Sequence, residues 1–134
     1  MASVRIEHLA FWTDDIDHCL QFYVRWFGAS CSARYHNVAK GFESCFLQFA
    51  SGARIEVMRT SSLAPLHIEP GAQRMGLTHL ALEVGDEGDV DGLAAGMRAA
   101  GVPLIDGPRR TGDGYYECVV LDPDGNRLEL TARR

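Results

Sequence analysis

The sequence predicts an α+β fold built from two tandem βαβββ modules, and three observations carry that prediction. They are an internal repeat, period-two alternation of apolar residues in short stretches, and two helix-spaced apolar stretches each closed by a glycine. Lys40 to Met58, KGFESCFLQFASGARIEVM, returns as GDGYYECVVLDPDGNRLELT, which ends at Thr131. Gly41 meets Gly114, Phe42 meets Tyr115, Cys45 meets Cys118, Gly52 meets Gly125, Arg54 meets Arg127 and Glu56 meets Glu129. Upstream, His8-Leu9-Ala10 returns as His79-Leu80-Ala81 and Gly28 as Gly101. Copies of this size exceed a solenoid unit and read as paired supersecondary modules sharing one core. Module one is assigned to residues 1–60, a connector to 61–75 and module two to 76–134.

Residues 4–12, VRIEHLAFW, alternate as a strand, with Leu9 and Phe11 on one face and Ile6, His8, Ala10 and Trp12 on the other. Thr13 or Asp14 then caps a helix over about residues 14–27, in which Ile16, Leu20, Tyr23 and Phe27 recur at helical spacing and which Gly28 stops. Acidic Asp14, Asp15 and Asp17 sit where the helix dipole favours them. Strands follow at 30–36, 41–49 and 54–58, with turns at 37–40 and at Ser51-Gly52. Residues 60–75 carry Pro and Gly and neither period, so they read as the connector.

Module two repeats the order. A strand at 76–84 precedes a helix over 86–100 marked by Val90, Leu93 and Met97 and stopped by Gly101, although Gly88, Gly92 and Gly96 weaken it. A short strand at 102–105, a loop at 108–112, a strand at 115–121, a turn at 122–126 and a last strand at 127–131 complete the module.

Bulk composition narrows the function classes. With 134 residues, 46% of them hydrophobic and 23% charged, the chain suits one domain with a real core and is neither disordered nor fibrous. A net charge of -5 and the lack of a basic stripe argue against nucleic acid. Cys19, Cys31, Cys45 and Cys118 form no CxxC pair, and no signal-like apolar core opens the chain, so a cytoplasmic location is expected. No apolar run approaches the roughly 18 residues of a membrane span, so no membrane partner is expected.

Alternation also places the chemistry. Leu9 and Phe11, Ile55 and Val57, Leu80 and Leu82, and Leu128 and Leu130 share the side that helices can cover. His8, Glu56, His79 and Glu129 therefore point to the opposite side. If the last strand of each module returns beside its first, as a βαβ crossover allows, each His lies near its Glu. Two imidazoles and two carboxylates suit a borderline divalent ion and leave positions for water or substrate. Each of the four taken alone reads as a solvated strand residue, and it is their symmetric recurrence that argues for a site.

The stretches HLAFWTDDIDHCLQFYVRWFGA, RIEVM, GLTHLALEV and GYYECVVLDPDGNRLELT resemble the vicinal oxygen chelate superfamily. That group includes glyoxalase I, bleomycin-resistance proteins, extradiol dioxygenases and fosfomycin-resistance enzymes. The resemblance covers nearly the whole chain, and the closing DPDGNRLEL pattern points to the superfamily without choosing one activity. It implies an eight-stranded cup-shaped mixed sheet with helices outside, and metal ligands on the first and last strand of each module. Carried onto this sequence, the ligands are His8, Glu56, His79 and Glu129, a set similar to that of bacterial glyoxalase I. It implies nickel or cobalt ahead of zinc or iron. Extradiol dioxygenases and fosfomycin-resistance enzymes use two His and one Glu, and bleomycin-binding proteins usually lack a complete set. The stretch between Glu56 and His79 lacks the asparagine and the aromatic-rich insert of a glutathione-using glyoxalase, which points to another small-molecule substrate.

The expected activity is that of a metal-dependent lyase or isomerase of lactoylglutathione lyase type. It would remove a proton beside a carbonyl of a chelated substrate, with Glu56 or Glu129 as catalytic base. Trp12, Met58, Tyr115, Tyr116, Arg54 and Arg127 are the candidate substrate-binding residues, through shared faces or the rim loop at 111–115; packing and surface pairing are the alternative roles. His18, His36 and His67 read as structural or solvated. Rival functions are a ligand-sequestering resistance protein and an epimerase or iron-dependent oxygenase on the same cup. A homodimer is expected, with the ligands drawn from one chain or from two.

Overall fold

The computed structural model describes residues 1–64, 69 and 71–134. His67 and part of the expected connector lie outside the described residues. The chain divides into two compact units, Met1–Leu66 and His67–Arg134, each with its own mixed sheet and one long helix.

Unit one contains β1 (His8–Trp12), α1 (Ile16–Phe27), β2 (Ser30–Cys31), β3 (Tyr35–Asn37), β4 (Phe42–Gln48) and β5 (Arg54–Thr60), with a 3-10 turn at Val38–Lys40. The strand order is β1-β5-β4-β2, and β3 also pairs with β4. β5 returns parallel to β1, so the crossover expected from the repeat is formed. The helix starts later than the sequence suggests. Thr13 is still tied to the sheet through its N–H to Met58 O at 2.8 Å. The cap falls to Asp15, whose side chain accepts from His18 N at 3.0 Å. Gly28, at φ 62, ends the helix as expected.

The strand expected at 30–36 is two strands. Ser32 Oγ accepts from Phe46 N at 2.9 Å, so a side chain takes the place of a backbone carbonyl and the ladder breaks between β2 and β3. Unit one therefore has five strands, and the described residues hold nine rather than eight. Ile16, Cys19, Phe22 and Tyr23 of α1 bury against Cys45, Leu47, Ile55 and Val57 of the sheet. The apolar alternation of β4 and β5 thus serves one face, the face covered by the helix.

Unit two contains β6 (Leu80–Gly85), α2 (Glu87–Ala99), β7 (Leu104–Arg110), β8 (Tyr116–Leu121) and β9 (Arg127–Ala132), in the order β6-β9-β8-β7. The three glycines do not break α2. Its first turn is held by a capping box, in which Asp86 accepts from Asp89 N at 3.0 Å and Asp89 accepts from Asp86 N at 2.9 Å. Val90, Ala94 and Met97 bury one side of α2, and Cys118, Val120, Leu128 and Leu130 complete the core of the unit.

The loop expected at 108–112 is a correction, because β7 runs on to Arg110. Gly107 and Pro108 read as loop residues, yet β7 is an edge strand with two register irregularities against β8, where a proline does not cost a ladder bond. Gly107 has φ 74, and a Cβ there would stand 2.5 Å from Glu117 O, so only glycine fits. Among the described residues no helix is long and apolar enough to cross a membrane, and all four cysteines are free thiols.

Candidate functional site

Each unit places the histidine and the glutamate of the repeat, His8 with Glu56 and His79 with Glu129, on the sheet face opposite its helix. In unit two the parallel register sets Leu80 beside Leu128 and Ala81 beside Glu129, so His79 stands diagonal to Glu129 at the start of the strand. Leu128 and Leu130 are fully buried toward α2, which turns Glu129 outward. His79 Nε2 lies 3.3 Å from Glu129 Oε2. Two ligands bound at right angles, each roughly 2.1 Å from an ion, stand about 3 Å apart, so the pair fits two adjacent positions of a divalent ion.

A second carboxyl adjoins this pair. The β8–β9 register sets Val119 beside Glu129 and Glu117 beside Thr131, so Glu117 shares the face of Glu129. Burial, then its hydrogen bond to Glu129 and repulsion between the two groups, push the Glu117 carboxyl up to about 7. Below about pH 7 the pair thus retains a proton that an ordinary glutamate would have released.

Unit one is built differently around its histidine. His8 is set beside Arg54 and Ala10 beside Glu56, which repeats the diagonal of unit two. His8 Nδ1 bonds the Glu7 carboxylate, and the same carboxylate accepts from Arg54 Nε at 2.9 Å and from Arg54 Nη2. The bonds to His8 and then Arg54 hold the Glu7 carboxyl below its ordinary range. A carboxylate only accepts, so Nδ1 is the donor to Glu7 and Nε2 is the ring nitrogen left for a metal, as in histidines that ligate through one nitrogen while the other is held. Phe46 stands edge-on to His8 at 5.4 Å, and the Arg54 guanidinium lies 4.0 Å over the Phe46 ring. Glu56 is half-buried opposite Phe46 and carries no hydrogen bond or ion pair among the described residues.

The other candidate residues separate into groups. Trp12 is 44% exposed and packs at right angles to Phe42, with ring centres 6.2 Å apart, and Met58 lies beside Trp12 in register. Arg54 is occupied by Glu7. Arg127 Nη1 donates to Gly71 O at 2.9 Å, while its buried Nε has no partner among the described residues. Tyr115 closes the β7–β8 turn and lies under the Arg134 guanidinium at 4.5 Å. Tyr116 is placed with the helix instead of the Glu129 face, its hydroxyl donating to Asp91 of α2 at 2.6 Å.

Sequence reading missed Glu7 and Glu117. Glu7 directly precedes His8, and Glu117 stands two residues before Val119 on an alternating strand, so a face-by-face reading of β8 would have found it. Among the described residues no three His, Cys, Asp or Glu side chains form a ready-made metal cage. Each unit nevertheless supplies one imidazole and one carboxylate of the right chemistry.

Comparison with known proteins identifies the fold and the family. Residues 5–130 match the family described as Glyoxalase/Bleomycin resistance protein/Dioxygenase superfamily. No curated protein matches the chain. Among solved structures, the trypanothione-dependent glyoxalase I of Leishmania major superposes with TM-score 0.75 at 24% identity, over 97% of this chain and 87% of that one. Glyoxalase I from Zea mays gives TM-score 0.76 at 22% identity over 96% of this chain, which spans 44% of the maize chain. A glyoxylase/bleomycin resistance protein/dioxygenase domain from Frankia gives 0.81 at 17% identity, over 99% and 94% of the two chains. At these identities the structural likeness speaks for the fold alone, while the family match spans nearly the whole sequence. The chain is thus a member of the glyoxalase/bleomycin resistance protein/dioxygenase superfamily.

Proposed function

We propose that the protein is a divalent-metal-dependent lyase or isomerase of glyoxalase I type, in which His8, Glu56, His79 and Glu129 hold one ion. The observation that carries this reading is the His79–Glu129 pair at 3.3 Å, with His8 and Glu56 at the equivalent positions of unit one. Two such pairs supply two imidazoles and two carboxylates, whether one chain provides both or a homodimer combines them. The ion, nickel or cobalt ahead of zinc or iron, supplies Lewis acidity toward a substrate that offers two neighbouring oxygens.

The chain's own residues do the rest. Glu7 holds His8 with Nε2 free. Glu129 is engaged by His79 and Glu117, whereas Glu56 is unengaged among the described residues, which favours Glu56 as the carboxylate that takes a proton beside the carbonyl. Glu56→Gln should then keep metal and lose turnover, while Glu129→Ala should lose both.

The deciding experiment is metal analysis of wild type and Glu129→Ala after offering nickel, cobalt, zinc and iron separately to stripped protein. One ion per site in wild type and none in the variant supports the reading, and the hemithioacetal of methylglyoxal is then assayed with each ion. If neither binds metal, the chemistry fails and a ligand-sequestering role takes its place. The aromatic cleft of unit one, lined by Tyr35 and Phe42, favours that second reading.

A further inference from the structure

We propose that unit one carries a subsite for a planar aromatic carboxylate, formed by Tyr35, Asn37, Lys40, Phe42 and Thr60. These five residues line an open cleft of about 470 Å³, large enough for a bicyclic ring system with its carboxylate. Phe42 pairs with Thr60, Ser44 with Met58 and Phe46 with Glu56, so the cleft opens on the same sheet face as Glu56. Four strand steps along β5 separate Glu56 from Thr60, roughly 13 Å.

The walls are aromatic and in place before any ligand arrives. Tyr35, 56% exposed, meets Phe42 at 6.1 Å between ring centres, and Trp12 of β1 backs Phe42 from across β5. Asn37 fixes the end of the cleft with both ends of its amide. Its Oδ1 accepts from Lys40 N at 3.1 Å and closes the 3-10 turn, while Nδ2 reaches Tyr35 Oη at 3.5 Å. Gly41, at φ 59, lets the chain reverse against Ser61, whose Oγ would lie 2.6 Å from a Cβ there. Such a preformed cleft spares a ligand much of the ordering cost of binding.

Charge decides what the rings receive. An aromatic enclosure alone would suit a cation. Lys40, however, is the one charged residue in the lining, and among the described residues it forms no ion pair. Its ammonium repels a cationic guest and attracts an anion, while Tyr35 and Phe42 select a flat one. If the metal-centred reading above holds, the subsite binds the distal end of the same substrate; occupation of the cleft itself does not depend on that reading.

The test uses 2-naphthoate, its neutral alcohol 2-naphthylmethanol and the cation 2-naphthylmethylammonium. Each is titrated into metal-stripped and metal-loaded protein carrying Trp26→Phe, so that Trp12 emission reports alone. The expected result is naphthoate binding at least tenfold tighter than the alcohol, and the ammonium weakest, with or without metal. Lys40→Met should erase the preference for the anion and leave alcohol binding intact. Tyr35→Ala, at an exposed position, should weaken both ligands by a similar factor. Equal affinity for naphthoate and alcohol in wild type, or a preference that survives Lys40→Met, overturns the proposal. Binding confined to metal-loaded protein would place the carboxylate on the ion, overturning the subsite and leaving the metal reading intact. Naphthoate binding to a protein that takes no metal would uphold the subsite and sink the metal reading alone.

Discussion

Glu7 holds the His8 ring by Nδ1 and is itself held by Arg54, so a three-residue chain fixes which ring nitrogen of His8 is free. Carboxylates that grip a ligating histidine in this way orient the ring and raise its basicity. Glu7→Ala should therefore weaken metal binding about 10- to 100-fold with little loss of fold, since Glu7 is an exposed residue ahead of β1. Glu7→Gln, which can still accept from Nδ1, should lose less. Competition with a chromogenic chelator measures both, and equal affinity in wild type and Glu7→Ala would remove Glu7 from the site.

Glu117 predicts an unusual pH dependence. Its carboxyl is pushed up to about 7 from an ordinary 4.5, so between these values the folded chain holds a proton that the unfolded chain has released. The associated stability is complete below the unfolded value and is lost as pH rises through about 7. Glu117→Gln keeps a donor for Glu129 and does not titrate. In metal-free protein, wild type should lose about 1 kcal/mol more than the variant between roughly pH 5 and pH 8, a figure discounted for the pair's partial exposure. Parallel melting curves across that range would show that no proton is held between the two carboxyls.

How far the sequence could be read depends on which signals are local. The repeat, both helices, the strands that carry Glu56 and Glu129, and the parallel return beside His8 are all legible, because alternation and caps are written within a few residues. The break at Ser32 was not, since it depends on a hydroxyl meeting Phe46 from another strand. The extension of β7 through Pro108 was hidden for a similar reason, because only pairing shows that β7 lies at an edge. The face of Glu117 was legible in the alternation of β8, but its place beside Glu129 and the Tyr35–Lys40 cleft required cross-strand register, which the repeat alone does not give.

Gly107 couples the edge strand to the site. A Cβ there meets Glu117 O at 2.5 Å and Cys118 Cα at 3.1 Å, and the backbone sits at φ 74. Gly107→Ala combines left-handed strain with a backbone clash and should cost at least about 2 kcal/mol in chemical denaturation. Because the displaced backbone is that of Glu117, the variant should also change the pH profile described for that residue. A variant with wild-type stability would mean that β7 can shift away from β8 freely.

Arg54 and Arg127 occupy the same place in the two copies, yet among the described residues Arg54 has an ion-pair partner and Arg127 has none, and the residue before the histidine is Glu7 in one copy and Thr78 in the other. Arg127 Nε is buried and has no partner among the described residues. An orphaned buried donor costs about 1–3 kcal/mol, so supplying an acceptor should recover part of it. Thr78→Glu would place a carboxylate where Glu7 stands in unit one, within reach of both Arg127 and His79 if the copies are equivalent. The expected outcome is a gain of about 1 kcal/mol in unfolding free energy, together with tighter metal binding in the same variant. A loss of stability would show that the space beside Arg127 is already filled or already polar, and that the two arginines are equivalent in sequence only.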